Sequence, residues 1–345
     1  MTLLWSPASC RRHHFEIASV RALVVTAISR ARRPLWICLA LLLVLASGAA
    51  AQAPDSEPSG AKPLANQEPI TPIPPPPEAD PRKLALGERL FGDHRLSADG
   101  KLACSSCHDL RTNGAGGGQT VAHDGSKPPF DTLTVFNAAL NFRMNWEGNF
   151  RDLGAHVESS LENPVNMRTS VDEVLRKLNA DPQMVQQFRA AYGRTPDRAS
   201  FLDALATFER SLLTPGSRFD RWLGGEASAL SPGELAGYQL FKSLGCSSCH
   251  QGVNVGGNLF ERQGVFRPLV PGKPEIVRVP SLRNVATTPP YFHDGGTPTI
   301  EEAVRKMAAA QLDRTLTDQQ VDSLVAFLKT LTGTYRGRAV VGASQ

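Results

Sequence analysis

The chain has 345 residues, 41% hydrophobic and 20% charged, which describes a globular protein long enough for two lobes and excludes a disordered or multi-span membrane class. Residues 1–53 hold six of the 37 basic residues (Arg11, Arg12, Arg21, Arg30, Arg32, Arg33) and one of the 33 acidic ones (Glu16). The remainder carries 31 basic against 32 acidic residues, so the formal charge of +4 becomes −1, and nucleic-acid binding is excluded as a reading.

The leader is arginine-rich up to Arg33, runs apolar over residues 35–46 and ends in Ser47-Gly48-Ala49-Ala50-Ala51. That is the pattern of a signal peptide cleaved near Ala51, and it places the mature chain in the periplasm of a Gram-negative type of cell. The competing reading is an uncleaved anchor, the only one that would put the protein at a membrane. About a dozen apolar residues are short of the roughly 20 that cross a bilayer. Residues 54–81 follow as a proline-rich tether, with Pro54, Pro58, Pro63, Pro69, Pro72, the run 74–77 and Pro81. Such a segment is expected to be an extended, polyproline-like spacer, either a stalk or a remnant with no role.

Of six cysteines, Cys10 and Cys38 lie in the leader. The other four form Cys104-Ser105-Ser106-Cys107-His108 and Cys246-Ser247-Ser248-Cys249-His250. Alone, each pair could be a disulfide, a redox couple or half a zinc site. Followed at once by histidine, it is the attachment signature of c-type haem: two thiols add to the vinyl groups, and the imidazole of His108 or His250 takes the proximal face of the iron. Two covalently bound haem c groups are therefore expected, and export to an oxidising compartment agrees with that chemistry.

Each motif is preceded by a similar amphipathic stretch, Leu84-Ala85-Leu86-Gly87-Glu88-Arg89-Leu90-Phe91 in one case and Leu235-Ala236-Gly237-Tyr238-Gln239-Leu240-Phe241 in the other, which reads as an internal duplication. Further helices are expected at about 171–190, 199–213, 300–311 and 318–331. Ser231 with Glu234, Thr299 with Glu302 and Thr317 with Gln320 have capping-box spacing, and Pro232 suits a first helical position. No strand pattern of any length is present. The expected fold is all-α, with two cytochrome c-like haem domains in tandem, 82–225 and 226–345, and glycine-rich loops at 114–118 and 252–257. Outside the leader and motifs, the sixth iron ligands come from His94, His123, His156, His293, Met144, Met167, Met184 and Met307. A His/Met pair suits electron transfer, and a bis-His or open site suits chemistry.

The order of these landmarks resembles the bacterial di-haem cytochrome c peroxidases, with the MauG-type enzymes as the wider superfamily. The similar segments are 86–91, the first haem motif, 134–138, 146–148, 212–215, the second haem motif with 252–257, 280–285, 290–295 and 303–307, together spanning residues 82–333. The resemblance implies reduction of H2O2 with electrons from a small soluble cytochrome c or cupredoxin. It makes the first haem peroxidatic, with His108 proximal and His123 the ligand that leaves on activation, unless His123 is only a loop residue. It makes the second haem the electron-transfer centre, ligated by His250 and by Met307, where MauG-type enzymes have tyrosine; a core methionine is the alternative for Met307. Trp146 falls where the family has a tryptophan between the haems, coupling them or simply filling the interface. A calcium ion between the lobes maps to Asp131, Thr288 and Pro290, with Asp131 in place of the usual asparagine. A homodimer is also what the resemblance suggests.

The departures fall on the distal side. Heterolysis of peroxide needs a group that moves a proton from one oxygen to the other. The family's glutamate is Asn166 here, its helper glutamine is His156, and the residue before Trp146 is Asn145. An amide cannot exchange protons as a carboxylate does. Three readings compete: His156 is the acid-base group, its ordinary pKa near 6.5 suiting neutral pH; Glu158 or Glu162 supplies the carboxylate; or the protein is a non-peroxidatic electron carrier, sensor or MauG-type oxidase.

Overall fold

The computed structural model describes residues 67–116, 125–126, 128–272 and 274–343. The expected signal peptide, tether residues 54–66, loop residues 117–118 and the candidate ligand His123 lie outside the described residues. The protein is mostly helical: α1 (Pro81–Phe91), α2 (Cys104–Cys107), α3 (Leu153–Glu162), α4 (Val171–Asn179), α5 (Pro182–Tyr192), α6 (Arg198–Ser211), α7 (Arg218–Leu223) and α8 (Pro232–Ser243) precede a short hairpin of β1 (Phe260–Arg262) and β2 (Ile276–Arg278). α9 (Ile300–Leu312), α10 (Asp318–Lys329) and a second hairpin of β3 (Thr334–Tyr335) and β4 (Arg338–Ala339) complete it.

Two cores organise the chain, and each is built on one close helix crossing. α1 packs on α6 at Gly87, where a Cβ would run into the Ala204 carbonyl. α8 packs on α10 at Gly237, where a Cβ would run into the Ser323 carbonyl. The duplication read from the sequence is thus a repeat of packing, a glycine at the crossing followed by Leu90-Phe91 or Leu240-Phe241 turned into the core. Phe91 meets Phe208 edge-on at 5.3 Å in the first core, and Phe219, Tyr238 and Phe327 form an aromatic knot in the second. Each fully buried side chain of this size stabilises the fold by about 1.5–3 kcal/mol.

The expected helix at 171–190 is two helices. Asp181 caps α5 by accepting from the Gln183 amide, and Pro182 at its first turn has no N–H with which to continue α4. α3, which carries His156, escaped the sequence reading because Gly154, Ser159 and Ser160 dilute its helical pattern; Asp152 starts it by accepting from the Ala155 amide. Both hydrogen bonds of the capping box form at Ser231/Glu234 and Thr317/Gln320, while Thr299 accepts from the Glu302 amide.

The described end of the tether has no regular secondary structure but is not a free spacer. Ile70 is fully buried in the second core, Ile73 is nearly buried with its amide donating to Asp220, and the Glu68 carboxylate accepts from Tyr238 and Lys242. The Pro69 carbonyl accepts from the Gly252 amide, and Thr71 from Arg283, whose buried guanidinium pairs with Asp220 at 2.8 Å. Proline-rich composition masked an isoleucine, Ile70, that had a core to enter. At the other end, Tyr335 and Val340 pack against the first core and Arg336 pairs with Glu88 of α1, so the chain returns to the first lobe.

Candidate functional site

Each Cys-x-x-Cys-His motif opens onto its own cavity, of about 520 Å3 in the first lobe and about 380 Å3 in the second. All four described cysteines are free thiols, which removes the disulfide reading among them. Burial pushes Cys104 up to about 12 and Cys246 up to about 11, so both are protonated thiols.

The two histidines are held alike. Nδ1 of His108 lies 3.0 Å from the Gly114 carbonyl oxygen, and Nδ1 of His250 lies 3.3 Å from that of Val255. A carbonyl only accepts, so each Nδ1 carries the proton and each Nε2 keeps its lone pair for a metal. Burial lowers the pKa of His108 against the hydrogen bonds to Gly114 and Leu133, and brings His250 down to about 4. Gly114 takes φ of +66°, and a Cβ there would press on Phe136, Thr134 and Val135, so glycine is required to bring that carbonyl to the imidazole. The thiol pairs, the tied imidazoles and the size of the cavities fit a covalently attached haem in each.

The distal candidates divide. His156 and Asn166 both line the first cavity with His108. The His156 ring lies 5.4 Å from that of Phe150, and neither ring nitrogen makes a hydrogen bond among the described residues. Burial, with a smaller push from His108, lowers its pKa to about 4. This corrects the value near 6.5 expected from sequence: at neutral pH His156 is an uncharged acceptor. Glu158 is turned to Arg198 on α6, and neither it nor Glu162 lines the cavity, which counts against the reading that one of them supplies the carboxylate.

Met307 is the one methionine lining the second cavity among the described residues. Met144 and Met167 line the first, Met184 is buried in the first core, and His94 is spent on the Lys101 carbonyl. Trp146 lines both cavities. Its indole N–H donates to the Asp131 carbonyl at 2.8 Å, and its ring meets that of His293 edge-on at 6.1 Å. Of the calcium candidates, Asp131 and Pro290 lie together against Gly295, and Thr288 lines the second cavity.

Two residues of the first cavity were missed. Glu209 of α6 has a carboxyl that burial pushes up to about 7, and Arg278 of β2 is 3% exposed with no carboxylate partner among the described residues. The sequence gives no sign of either, because Glu209 sits in an ordinary helical pattern and Arg278 in a three-residue strand.

Residues 81–228 match the di-haem cytochrome c peroxidase family, and residues 235–332 match the cytochrome c family. The cytochrome c551 peroxidase of Nitrosomonas europaea is 39% identical over 289 residues, covering 78% of this chain and 86% of that protein. The chain belongs to the di-haem cytochrome c peroxidase family. Within the wider group, the methylamine utilization protein MauG of Methylorubrum extorquens is 31% identical over 73% of this chain and 78% of its own. A crystal structure of a MauG-like protein associated with microbial copper homeostasis superposes with a TM-score of 0.64 at 27% identity, covering 76% of this chain and 93% of that one. Membership implies two covalently bound haem c groups and a peroxidase-type oxidoreductase function.

Proposed function

We propose that this chain is a periplasmic di-haem peroxidase that reduces H2O2 with two electrons and two protons to two waters, drawing the electrons from a small cytochrome c or cupredoxin. The observation that carries the reading is the placement of His156 in the first cavity with His108, with no hydrogen bond to either of its ring nitrogens among the described residues. Cys104 and Cys107 would hold the first haem and Cys246 and Cys249 the second, with His108, and His250 with Met307, as axial ligands. Bound there, the haems supply one-electron chemistry and an iron at which peroxide can be polarised.

The chain's own residues supply the proton path and the insulation. Neutral His156 takes a proton from one oxygen of H2O2 and returns it to the departing oxygen, the relay a carboxylate performs elsewhere in the family. Asn166 cannot carry that proton, but its amide can donate a hydrogen bond to peroxide. Trp146, bordering both cavities, is placed to couple them electronically. Calcium at Asp131, Thr288 and Pro290 would fix the loops that carry this wall. A homodimer is the expected assembly.

A second reading, a non-peroxidatic electron-transfer or sensing protein, is favoured by Asn166 and by the weak basicity of His156. A MauG-type oxidase is disfavoured by Met307, which lines the second cavity. Peroxide turnover by the holo-protein separates the first two, and the ligand set of the second haem, read by magnetic circular dichroism, tests the third.

A further inference from the structure

β2 is a partition between the two cavities. Successive residues of a strand point to opposite faces, and here Val277 and Val279 line the second cavity while Arg278, between them, lines the first. An arginine from the second lobe thus enters the cavity of the first.

Its surroundings are incomplete for a buried cation. Its backbone N–H donates to the Trp146 carbonyl at 2.8 Å and Nε to the Asn145 carbonyl at 2.9 Å, and Nη1 has only a 3.5 Å approach to the Val279 carbonyl. Five residues on, the equally buried Arg283 shows the ordinary solution, a carboxylate at 2.8 Å with two carbonyls completing the set. Holding a buried guanidinium without a counter-charge costs several kcal/mol, and burial indeed lowers the pKa of Arg278 to about 10. Arg278 lines a cavity that fits a cofactor bringing its own carboxylates, since thioether attachment uses the vinyl groups of haem and leaves both propionates ionised.

We propose that Arg278 is a positioning residue that pairs with a propionate of the first haem while its Nε and backbone N–H hold the carbonyls of Asn145 and Trp146, fixing that haem and the tryptophan in one unit. The guanidinium fork matches a carboxylate bidentately. Asn145 accommodates the arrangement with φ of +61°, a left-handed conformation that asparagine tolerates better than most residues. The counter-charge stabilises the reduced, less positive haem, so the arginine raises that haem's reduction potential.

The inference rests on the first cavity holding haem and not on peroxide turnover, so its test is free of the catalytic reading. Arg278→Gln and Arg278→Lys are prepared as holo-proteins, covalent haem is counted by the pyridine haemochrome assay, and both haems are titrated spectroelectrochemically. Two haems are retained, Arg278→Gln shifts the potential of the first haem downward and leaves the second unmoved, and Arg278→Lys restores most of the shift. Should Arg278→Gln not accumulate, Arg278→Lys decides by resonance Raman, because a single-point ammonium alters the propionate-bending band of the first haem. Unchanged potentials in Arg278→Gln, a shift confined to the second haem, or an unaltered propionate band in Arg278→Lys overturns the assignment.

Discussion

Replacing His156 by alanine removes the imidazole proposed to move a proton in the first cavity. Its ring makes no hydrogen bond among the described residues and borders open cavity, with a tilted contact to Phe150. Truncation therefore enlarges space already present, and the change in folding stability is expected to stay within about 1 kcal/mol. Positioned acid-base groups contribute typically 10²–10⁴-fold, a barrier of about 2.7–5.5 kcal/mol. His156→Ala is thus expected to lower kcat by that factor with both haems attached and an unchanged melting temperature. Asn166→Glu added to His156→Ala restores a carboxylate on the same wall and is expected to recover a large part of the loss. The assay is steady-state oxidation of a reduced cytochrome c by H2O2, beside the haem absorption of each variant. Turnover near that of the parent would remove His156 from the mechanism, as would a loss that tracks loss of haem.

Three further outcomes are expected. Met307→His replaces the thioether expected on the second haem and lowers its reduction potential; an unchanged redox titration would show that Met307 is not a ligand. Ile70→Ala, at a fully buried site, costs about 2–5 kcal/mol in denaturant unfolding of the holo-protein, and a change within 0.5 kcal/mol, the scatter of about ±0.5 kcal/mol seen for surface substitutions, would mean that residues 67–73 are undocked in solution. With His156 held at about 4, turnover is flat between about pH 5.5 and 8 and declines as pH falls through that value and the ring becomes protonated; an inflection near its ordinary 6.5 would show the imidazole to be less buried than its cavity implies.

Much of the fold could be read from local signals. Caps at Ser231 and Thr317, the paired glycines 87 and 237 and the two pentapeptide motifs are short-range features, and each lies where its chemistry requires. What failed was long-range. Nothing in a proline-rich run indicates that Ile70 will be covered by core residues that begin more than a hundred residues later. The break at Pro182 was visible in principle, but the apolar period running through it concealed the stop. At the site, the resemblance to the di-haem peroxidases, carried over position by position, singled out His156, Asn166, Trp146 and Met307, and these residues line the cavities. Their electrostatics were not legible, because the depressed pKa of His156 and the burial of Arg278 without a carboxylate partner among the described residues come from segments distant in sequence.

A cavity with histidine in place of the family's distal carboxylate is expected to turn over peroxide still. The decisive measurement is stopped-flow mixing of the half-reduced, calcium-loaded mature protein with H2O2 and excess reduced cytochrome c. Rapid donor oxidation is expected, sustained over many turnovers and lost in His156→Ala. No donor oxidation, with the second haem still reducible, would contradict it and make Asn166 the mark of a carrier or sensor.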